Sequence, residues 1–166
     1  MSERPKDGAA RPARADEIGA IAELAREARR EALEYRGGER WMATEAAPEP
    51  LEHHVAGLIA DPEAVLVAGI WDDTVVGYGW ARRIVRLDGS PIGRIEELFV
   101  TPEGRSVGVG ESLFGSLMQW AREQELVAID AFVLPGHREA KNFFETFKMT
   151  AHALIVHTQL DQNRES

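Results

Sequence analysis

Two adjacent carboxylates, those of Glu96 and Glu97, lie in an otherwise apolar run over residues 95–100. The run ends in a β-branched residue before a Thr-Pro pair, which is typical of a buried strand. Carboxylates near the end of a strand are candidates for acid–base chemistry. Because consecutive side chains of a strand point to opposite faces, we expect the two acids to have different roles unless a bulge intervenes. The alternative is that both are solvent-facing acids of the strand.

A loop with two glycines follows this strand and reads Arg-Ser-Val-Gly-Val-Gly from Arg105 to Gly110. Apolar residues at helical spacing come after it, so the loop opens a predicted helix, whose first turn exposes unpaired N–H groups that can bind anions. Gly108 and Gly110 lack a Cβ and would let a diphosphate approach the main chain, while Arg105 adds a positive charge. A Rossmann motif would need a third glycine at Leu113 and a Walker loop a glycine at Val109, so both are excluded. The alternative is that the glycines only permit a tight turn.

Together with its strand and helix, this loop resembles the acetyl-coenzyme A signature of the GCN5-related N-acetyltransferase (GNAT) family. The strand ends in the pattern L-x-V-x-P, the loop matches R-x-x-G-x-G, and Leu113 lies in the helix. The likeness covers residues 11–160. It implies that acetyl-CoA is the co-substrate and that the strand and the loop hold it. The residues so implicated are Leu98, Phe99, Val100, Arg105, Ser106, Val107, Gly108, Val109 and Gly110.

A second likeness gives roles to the two carboxylates. The run Glu-Glu-Leu-Phe-Val is similar to the E-D-F-F-V type of strand in polyamine acetyltransferases of the same family. It implies that Glu96 is the general base, acting directly or through water, and that Glu97 holds a cationic acceptor. A base is needed because an alkylammonium group, with a pKa of about 10.4, is almost fully protonated at neutral pH.

The predicted last helix departs from the family pattern. Family members often show N-x-x-A-x-x-F-Y-x-x-x-G-F there, and the tyrosine protonates the departing thiolate. In this chain Phe144 takes the place of the tyrosine, His137 that of the asparagine and Lys148 that of the glycine. A thiolate with a pKa of about 8.5 is a tolerable leaving group, so water or another residue can supply the proton.

Two hypotheses of different class follow from these motifs. The first is an N-acetyltransferase in which a primary amine attacks the thioester of acetyl-CoA directly, since the chain has no cysteine for a covalent acyl-enzyme. The second is a non-catalytic acyl-CoA-binding or sensing domain. The acceptor stays open among small-molecule amines, such as polyamines, aminoglycosides and amino-acid derivatives, and peptide amines at protein N-termini.

Length and composition exclude several other classes of protein. The 166 residues, 44% of them hydrophobic and 28% charged, suit one globular domain. No apolar run reaches the roughly 18 to 20 residues that cross a bilayer, and the N-terminus lacks a secretory signal, so we expect a cytoplasmic protein without membrane contact. A net charge of −9 argues against nucleic acid as a partner and suits a cationic acceptor. No metal is expected without cysteines or an H-E-x-x-H motif, and a homodimer is compatible with the sequence.

Several side chains of the N-terminal half are candidates to contact the acceptor, because in the family this region forms one wall of the acceptor cleft. The alternative for each is a role in packing or at the surface. Three arginines between positions 26 and 30 are predicted to form a solvated helix face. The four candidates for acceptor contact are Tyr35, Trp41, His53 and His54.

Hydrophobic periodicity and turn residues predict the elements that must position these groups. Gly77 and Gly79 indicate a bulge or a close backbone approach in the third strand. The predicted strands cover residues 11–14, 64–71, 74–87, 92–100, 126–133 and 151–160. The predicted helices run from Asp16 to the residue before Gly37 and over residues 51–60, 109–124 and 137–147, with a loop over 40–50.

The order of these elements is that of a GNAT domain over residues 11–160, between a mobile tail of residues 1–10 and a polar tail of residues 161–166. The predicted class is therefore α/β (α+β). The resemblance implies a mixed central sheet of six to seven strands, flanked by about four helices. It also implies that two parallel strands splay apart and leave a gap for the pantetheine arm of the co-substrate.

Overall fold

A computed structural model describes residues 7–160 of the chain. Five strands form one mixed sheet in the order β1-β2-β3-β4-β5, in which only the β4–β5 pair is parallel. The strands are β1 (Ala9–Pro12), β2 (Ala64–Trp71), β3 (Thr74–Val85), β4 (Pro91–Val100) and β5 (Ile129–Ala131). The helices are α1 (Ile18–Ala32), α2 (Gly38–Thr44), α3 (Leu51–Ala60), α4 (Val109–Glu123) and α5 (Arg138–Thr146).

Each face of the sheet has its own apolar core, because side chains alternate between the faces along every strand. α1 and α3 cover one face, and the core there includes Ile21, Leu51, Val55, Tyr78 and Trp80. α4 and α5 cover the other face, where the core includes Ile95, Val109, Leu113, Leu117 and Phe144. The mixed sheet between helical layers confirms the predicted class.

The longer central elements were predicted well. The bounds of β2 and α3 agree with the sequence, and β4 and α4 differ by one residue each from the predicted ranges. A two-residue turn joins β2 to β3 as expected. Its residues, Asp72 and Asp73, have positive φ angles of 50° and 57°, which match the twist of a tight hairpin.

The edges of the sheet differ from the prediction. Within residues 7–160 the sheet has five strands rather than six or seven, because residues 151–160 form no strand and are exposed. β5 is three residues long, although eight were predicted. β1 begins at Ala9 and pairs with β2, so it includes two residues of the predicted tail. Residues 161–166, predicted as a polar tail, lie outside the described residues.

The segment predicted as a loop over residues 40–50 overlaps a helix, α2, which runs from Gly38 to Thr44. Gly37 ends the preceding turn with a φ of 90°, and the chain then enters α2 directly. Trp41 is 8% exposed and fixes this short helix on the core. With only seven residues, α2 is too short to show an amphipathic repeat, and its side-chain packing decides its conformation.

Candidate active site

A β-bulge in the middle of β4 sets the positions of the two carboxylates. Trp80 lies opposite Glu97 and Ala81 lies opposite Ile95, so Glu96 is the extra residue of the bulge. The bulge interrupts the alternation of side chains. Glu96 and Glu97 therefore lie on the same face of the sheet and line the same cleft, whereas an unbroken strand would have placed them on opposite faces.

Glu97 is buried in a network of hydrogen bonds and is 8% exposed at its side chain. Arg29 of α1 donates to both of its carboxylate oxygens, at 3.0 and 3.2 Å, and the hydroxyl of Tyr78 donates at 3.1 Å. Burial raises the pKa of Glu97 to about 7, although the charge of Arg29 and the hydrogen bonds from Arg29 and Tyr78 act in the opposite direction. The carboxylate is thus already matched by a cation of the chain itself.

Arg29 is held in turn by the elements around it. Its guanidinium donates to the carbonyl oxygens of Ala25, at 2.9 Å, and Ala47, at 3.1 Å, and lies 5.4 Å from the ring centre of Trp41. Arg29 is 7% exposed, so the prediction of a solvated helix face is wrong for this arginine. The signal was present in the sequence, since Arg29 follows Ala25 by four residues on the apolar stripe of α1.

Glu96 has a more open environment. Its side chain is 34% exposed, and one carboxylate oxygen lies 3.4 Å from Nε of Arg82. Arg82 also contacts Asp61, at 2.8 Å, so its charge is shared between two acids. Of the two glutamates, Glu96 is the one that a molecule in the cleft could reach without displacing a buried ion pair.

The two parallel strands separate beyond this point. β4 and β5 pair only between Gly93–Ile95 and Ile129–Ala131, and the last bond runs from Phe132 N–H to the Ile95 carbonyl at 3.4 Å. Thr101 N–H donates to the Val76 carbonyl on the β3 side. The backbone N–H and C=O groups of successive residues point to opposite edges of a strand. The groups of Leu98 and Val100 therefore face the gap, and those of Phe99 face β3.

A narrow cleft of about 100 Å³, partly open to solvent, occupies this gap. α1 and α2 form one wall, β4 forms the floor, and the chain after β5 and α5 form the other wall. Two of the four side chains predicted to contact an acceptor, Tyr35 and Trp41, line it. His53 is exposed, and His54 lies 5.4 Å from the Trp80 ring, so neither histidine lines the cleft.

The glycine loop lies at the same end of β4 and leads into α4. Gly108 has a φ of 82°, and a side chain placed there would meet no atom within 4 Å, so its main chain is open to a ligand. A Cβ at Gly110 would lie 3.3 Å from the Phe143 ring. Val109 is fully buried and Ser106 is exposed, while the carbonyl of Val107 accepts a hydrogen bond from Gly8 N–H at 2.7 Å.

Arg105 ties this loop to both walls of the cleft. Its Nε donates to the carbonyl of Val100 at 2.9 Å, and its Nη2 donates to Glu31 of α1 at 2.6 Å. The guanidinium lies 5.7 Å from the ring centre of Phe99, and Glu139 of α5 is 3.9 Å away. The positive charge predicted beside the glycines is therefore present, and two carboxylates already accompany it.

A comparison with known protein families agrees with this geometry. The model of the acetyltransferase (GNAT) family matches residues 21–149. The chain belongs to the GNAT family. As a GNAT protein it is an acetyltransferase, which agrees with the resemblance carried by the strand, the loop and the following helix. No curated protein matches the chain closely enough to count as a relative.

Several solved structures share the fold at low sequence identity. A tetramutant of the BH1408 protein from Bacillus halodurans superposes with a TM-score of 0.78 and 14% identity, covering 91% of this chain and 99% of that one. A ribosomal-protein-alanine N-acetyltransferase from Brucella melitensis biovar Abortus has a TM-score of 0.67 and 14% identity, and the match covers 93% of this chain and 99% of that one. The aminoglycoside N-acetyltransferase AAC(6')-Iy in complex with CoA has a TM-score of 0.71 and 13% identity, and the match covers 96% of this chain and 99% of that one. At these identities the similarity concerns the fold.

The last helix of this GNAT chain carries no hydroxyl where the family often has tyrosine. Phe144 is 8% exposed and packs edge-on against Phe114, with ring centres 6.0 Å apart. His137, at the start of α5, stacks on Tyr35 at 4.4 Å, and burial lowers its pKa. Burial also raises the pKa of Tyr35, so both rings are neutral at pH 7.

Sequence reasoning missed three residues that shape the cleft: Arg29, Tyr78 and Glu31. Each acts through a partner that is distant in sequence, as in the ion pair between Glu31 and Arg105, which are 74 residues apart. Only the tertiary structure brings such pairs together. Residues 7–160 hold no group of three or more His, Cys, Asp and Glu side chains suited to a metal ion, and none of their helices is long and apolar enough to cross a membrane.

Proposed function

We propose that this acetyltransferase transfers an acetyl group from acetyl-CoA to a primary amine, by direct attack of the amine nitrogen on the thioester. One observation carries the proposal. The gap between β4 and β5 exposes unpaired backbone groups of β4, contains the side chain of Glu96, and leads to the glycine loop at the start of α4. Direct attack suits a chain that has no cysteine.

Acetyl-CoA would be held mainly by main-chain groups. The backbone groups of Leu98 and the N–H of Val100 face the gap and can complete a ladder with the amides of the pantetheine arm, while the Val100 carbonyl accepts from Arg105. Phe99 would contribute its ring, which lines the cleft. The loop residues Arg105, Ser106, Val107, Gly108, Val109 and Gly110 would hold the diphosphate, with support from the open main chain at Gly108 and the unpaired N–H groups of the first turn of α4.

Glu96 is our proposed general base, acting directly or through water. It is the more accessible of the two carboxylates in the cleft, and Nε of Arg82 lies 3.4 Å from one of its oxygens. A base lets the ammonium group of the acceptor lose its proton before the nitrogen forms a bond to the acetyl carbon. The sulfur leaves as a thiolate, and water or a neighbouring residue protonates it, because Phe144 carries no acidic hydrogen.

Glu97 is proposed to contribute to the binding of a cationic acceptor. Its carboxylate is paired with Arg29 and Tyr78, so an ammonium group would approach it in competition with the guanidinium of Arg29. When Glu97 is ionised, Arg29 matches its charge beside Glu96. We therefore expect Glu97 to affect KM for the amine more than the rate of the chemical step.

The test is thiol release from acetyl-CoA with a panel of amines, measured for the wild type and for Glu96→Gln. We expect Glu96→Gln to lose about 10²- to 10⁴-fold in kcat, because the amide cannot accept the proton, and to keep its affinity for coenzyme A in titration calorimetry. Glu123→Gln, an exposed change at the end of α4, is the matched control and should behave as the wild type.

Two outcomes would contradict the proposal. Equal turnover by Glu96→Gln and the wild type would remove Glu96 from the role of base. Coenzyme A binding without thiol release for any amine would favour an acyl-CoA-binding domain.

A further inference from the structure

The two walls of the cleft touch each other. Tyr35, between α1 and α2, stacks on His137 at the start of α5, with ring centres 4.4 Å apart and ring planes 10° from parallel. The backbones of the two walls also approach beside these rings. A Cβ added at Gly136 would lie only 3.1 Å from the backbone nitrogen of Arg36. The wall that carries Tyr35 and the wall that carries His137 are therefore joined by direct contact.

Charged side chains reinforce this contact. Nη2 of Arg105 donates to Glu31 of α1 at 2.6 Å, and Nη1 of Arg105 lies 3.9 Å from Glu139 of α5. The hydroxyl of Tyr35 donates to Glu31 at 3.5 Å, and Nε2 of His137 lies 3.9 Å from the same carboxylate. The carboxylate of Glu31 thus lies among groups from both walls and from the glycine loop.

The bridged cleft is small for the ligand that we assign to it. Its volume is about 100 Å³, whereas pockets for small organic ligands measure roughly 300 to 1,000 Å³. The bridge lies at the end of the gap next to the glycine loop, because Arg105 of that loop joins the Val100 carbonyl to Glu31. An arm that extends from the loop to Glu96 has to pass this point.

We propose that the Tyr35–His137 stack and the Glu31–Arg105 ion pair form a gate, which closes the cleft and opens to admit acetyl-CoA. This inference rests on the proposed function, since it takes the gap as the site of the pantetheine arm. The diphosphate of the ligand would compete with Glu31 for the guanidinium of Arg105. Acetyl-CoA would thus bind only the open state and replace one of the contacts that opening breaks, so that binding shifts the population towards the open state.

A reversible disulfide is the first test of the gate. A Cβ added at Gly136 would lie 3.7 Å from the Cβ of Arg36, which is a suitable spacing for a disulfide, and the chain has no cysteine of its own. Arg36 is exposed, so Arg36→Cys/Gly136→Cys should fix the two walls together without removing the Tyr35–His137 stack. Loss of free thiol groups and an unchanged circular dichroism spectrum check the locked state.

Titration calorimetry with coenzyme A then compares the oxidised and reduced forms of this variant. We expect the oxidised form to bind at least about 10²-fold more weakly, because the fraction of open molecules falls, and reductant to restore the affinity of the wild type. Arg36→Cys alone, treated with the same oxidant, is the matched control and should bind as the wild type. Equal affinity of the oxidised and reduced forms would refute the gate. If the wild type itself does not bind coenzyme A, the proposed function fails first, and the gate with it.

The rate of association is the second test, and it needs no disulfide. Tyr35→Ala removes the stack and should raise the association rate constant of coenzyme A several-fold, because more molecules are open at the time of encounter. Stopped-flow tryptophan fluorescence measures the rate, since Trp41 lines the cleft. Tyr35→Phe keeps the stacked ring and loses only a long hydroxyl contact, so this control should associate at the rate of the wild type. Equal rates for Tyr35→Ala and Tyr35→Phe would overturn the proposal.

Discussion

Glu96 and Glu97 are neighbours in the sequence and share a cleft, yet their surroundings differ in burial and charge. Glu97 is 8% exposed and forms an ion pair with Arg29. Glu96 is 34% exposed and lies 3.4 Å from Arg82, which also contacts Asp61. A base must exchange its proton with the acceptor and with solvent, which favours the accessible carboxylate. The buried one, held by Arg29, suits a part in binding more than one in proton transfer. The different roles predicted for the two acids thus rest on environment and not on opposite faces.

The pKa of Glu97 leads to a prediction about stability. In the folded protein it is raised to about 7 from an ordinary value of 4.5, so between these values the folded state binds the proton more strongly than the unfolded chain. The free energy of unfolding should therefore fall as the pH rises through this window, by up to about 3 kcal/mol from this group. The free energy of unfolding of Glu97→Gln should not show this fall.

Urea unfolding of the wild type and of Glu97→Gln, at about pH 5 and about pH 8, measures how the free energy of unfolding of each changes with pH. The wild type should lose more stability than Glu97→Gln over this interval. Glu123→Gln, which removes an exposed carboxyl group, controls for the loss of one titrating side chain and should follow the wild type. The same pH dependence in Glu97→Gln and the wild type would contradict the assignment of the raised pKa to this residue.

At the scale of elements, the site depends on two irregular features of the sheet and one junction. The bulge in β4 turns a pair of consecutive side chains to one face, and the separation of β5 from β4 leaves the backbone of Leu98 and the N–H of Val100 without a strand partner. The glycine loop then places the first turn of α4 at the end of the gap. Neither the bulge nor the gap would exist in a regular, fully paired sheet.

The glycine at the start of α4 provides the prediction at this scale. Gly108 has a φ of 82° and an open surface, so Gly108→Ala should cost about 1 to 2 kcal/mol of stability through backbone strain. It should also weaken coenzyme A binding, because the methyl group would face the proposed position of the diphosphate. Titration calorimetry and thermal unfolding measure the two effects. Gly115→Ala, in the same helix with no atom within 4 Å, should gain about 0.5 to 1 kcal/mol and bind normally.

The comparison of these two variants separates helix stability from ligand contact. If Gly108→Ala binds coenzyme A as tightly as Gly115→Ala, the main chain at this position does not contact the diphosphate. The loop assignment would then be wrong even though the strain at Gly108 would still show in the unfolding curve.

At the scale of the molecule, the cleft joins elements from both layers and from distant parts of the chain. α1 covers one face of the sheet and α5 the other, and Arg105 lies between them in contact with Glu31 and Val100. A ligand in the gap would therefore contact both layers at once. Coenzyme A should stabilise the folded molecule as a whole.

The predicted size of this effect follows from mass action. At a coenzyme A concentration of about one hundred times Kd, the free energy of unfolding should rise by about 2.7 kcal/mol. Thermal unfolding with increasing coenzyme A measures it, and adenosine monophosphate, which lacks the pantetheine arm and the diphosphate, is the control. A melting temperature that does not change with coenzyme A would count against a binding site in this gap.

The sequence was sufficient for the features that depend on neighbouring residues. Local periodicity predicted β2, α3 and α4 closely, the Asp72-Asp73 hairpin was visible as a turn, and the loop motif from Arg105 to Gly110, with its strand and helix, indicated the GNAT family. These signals are short-range, because a strand, a tight turn or a helix start places physical demands on a few consecutive residues. The predicted short strand at the N-terminus was displaced by two residues for the same reason, since four residues hold little periodic signal.

Only the tertiary structure decided which distant groups meet. It placed Arg29 on Glu97, Glu31 on Arg105 and Trp41 in the core, and it put the bulge opposite Trp80, so that both glutamates share a face. It also left residues 151–160 without a strand partner, although their pattern favours one. Ion pairs, bulges and strand pairing depend on atoms contributed by other segments, and the local pattern of a single segment does not contain that information.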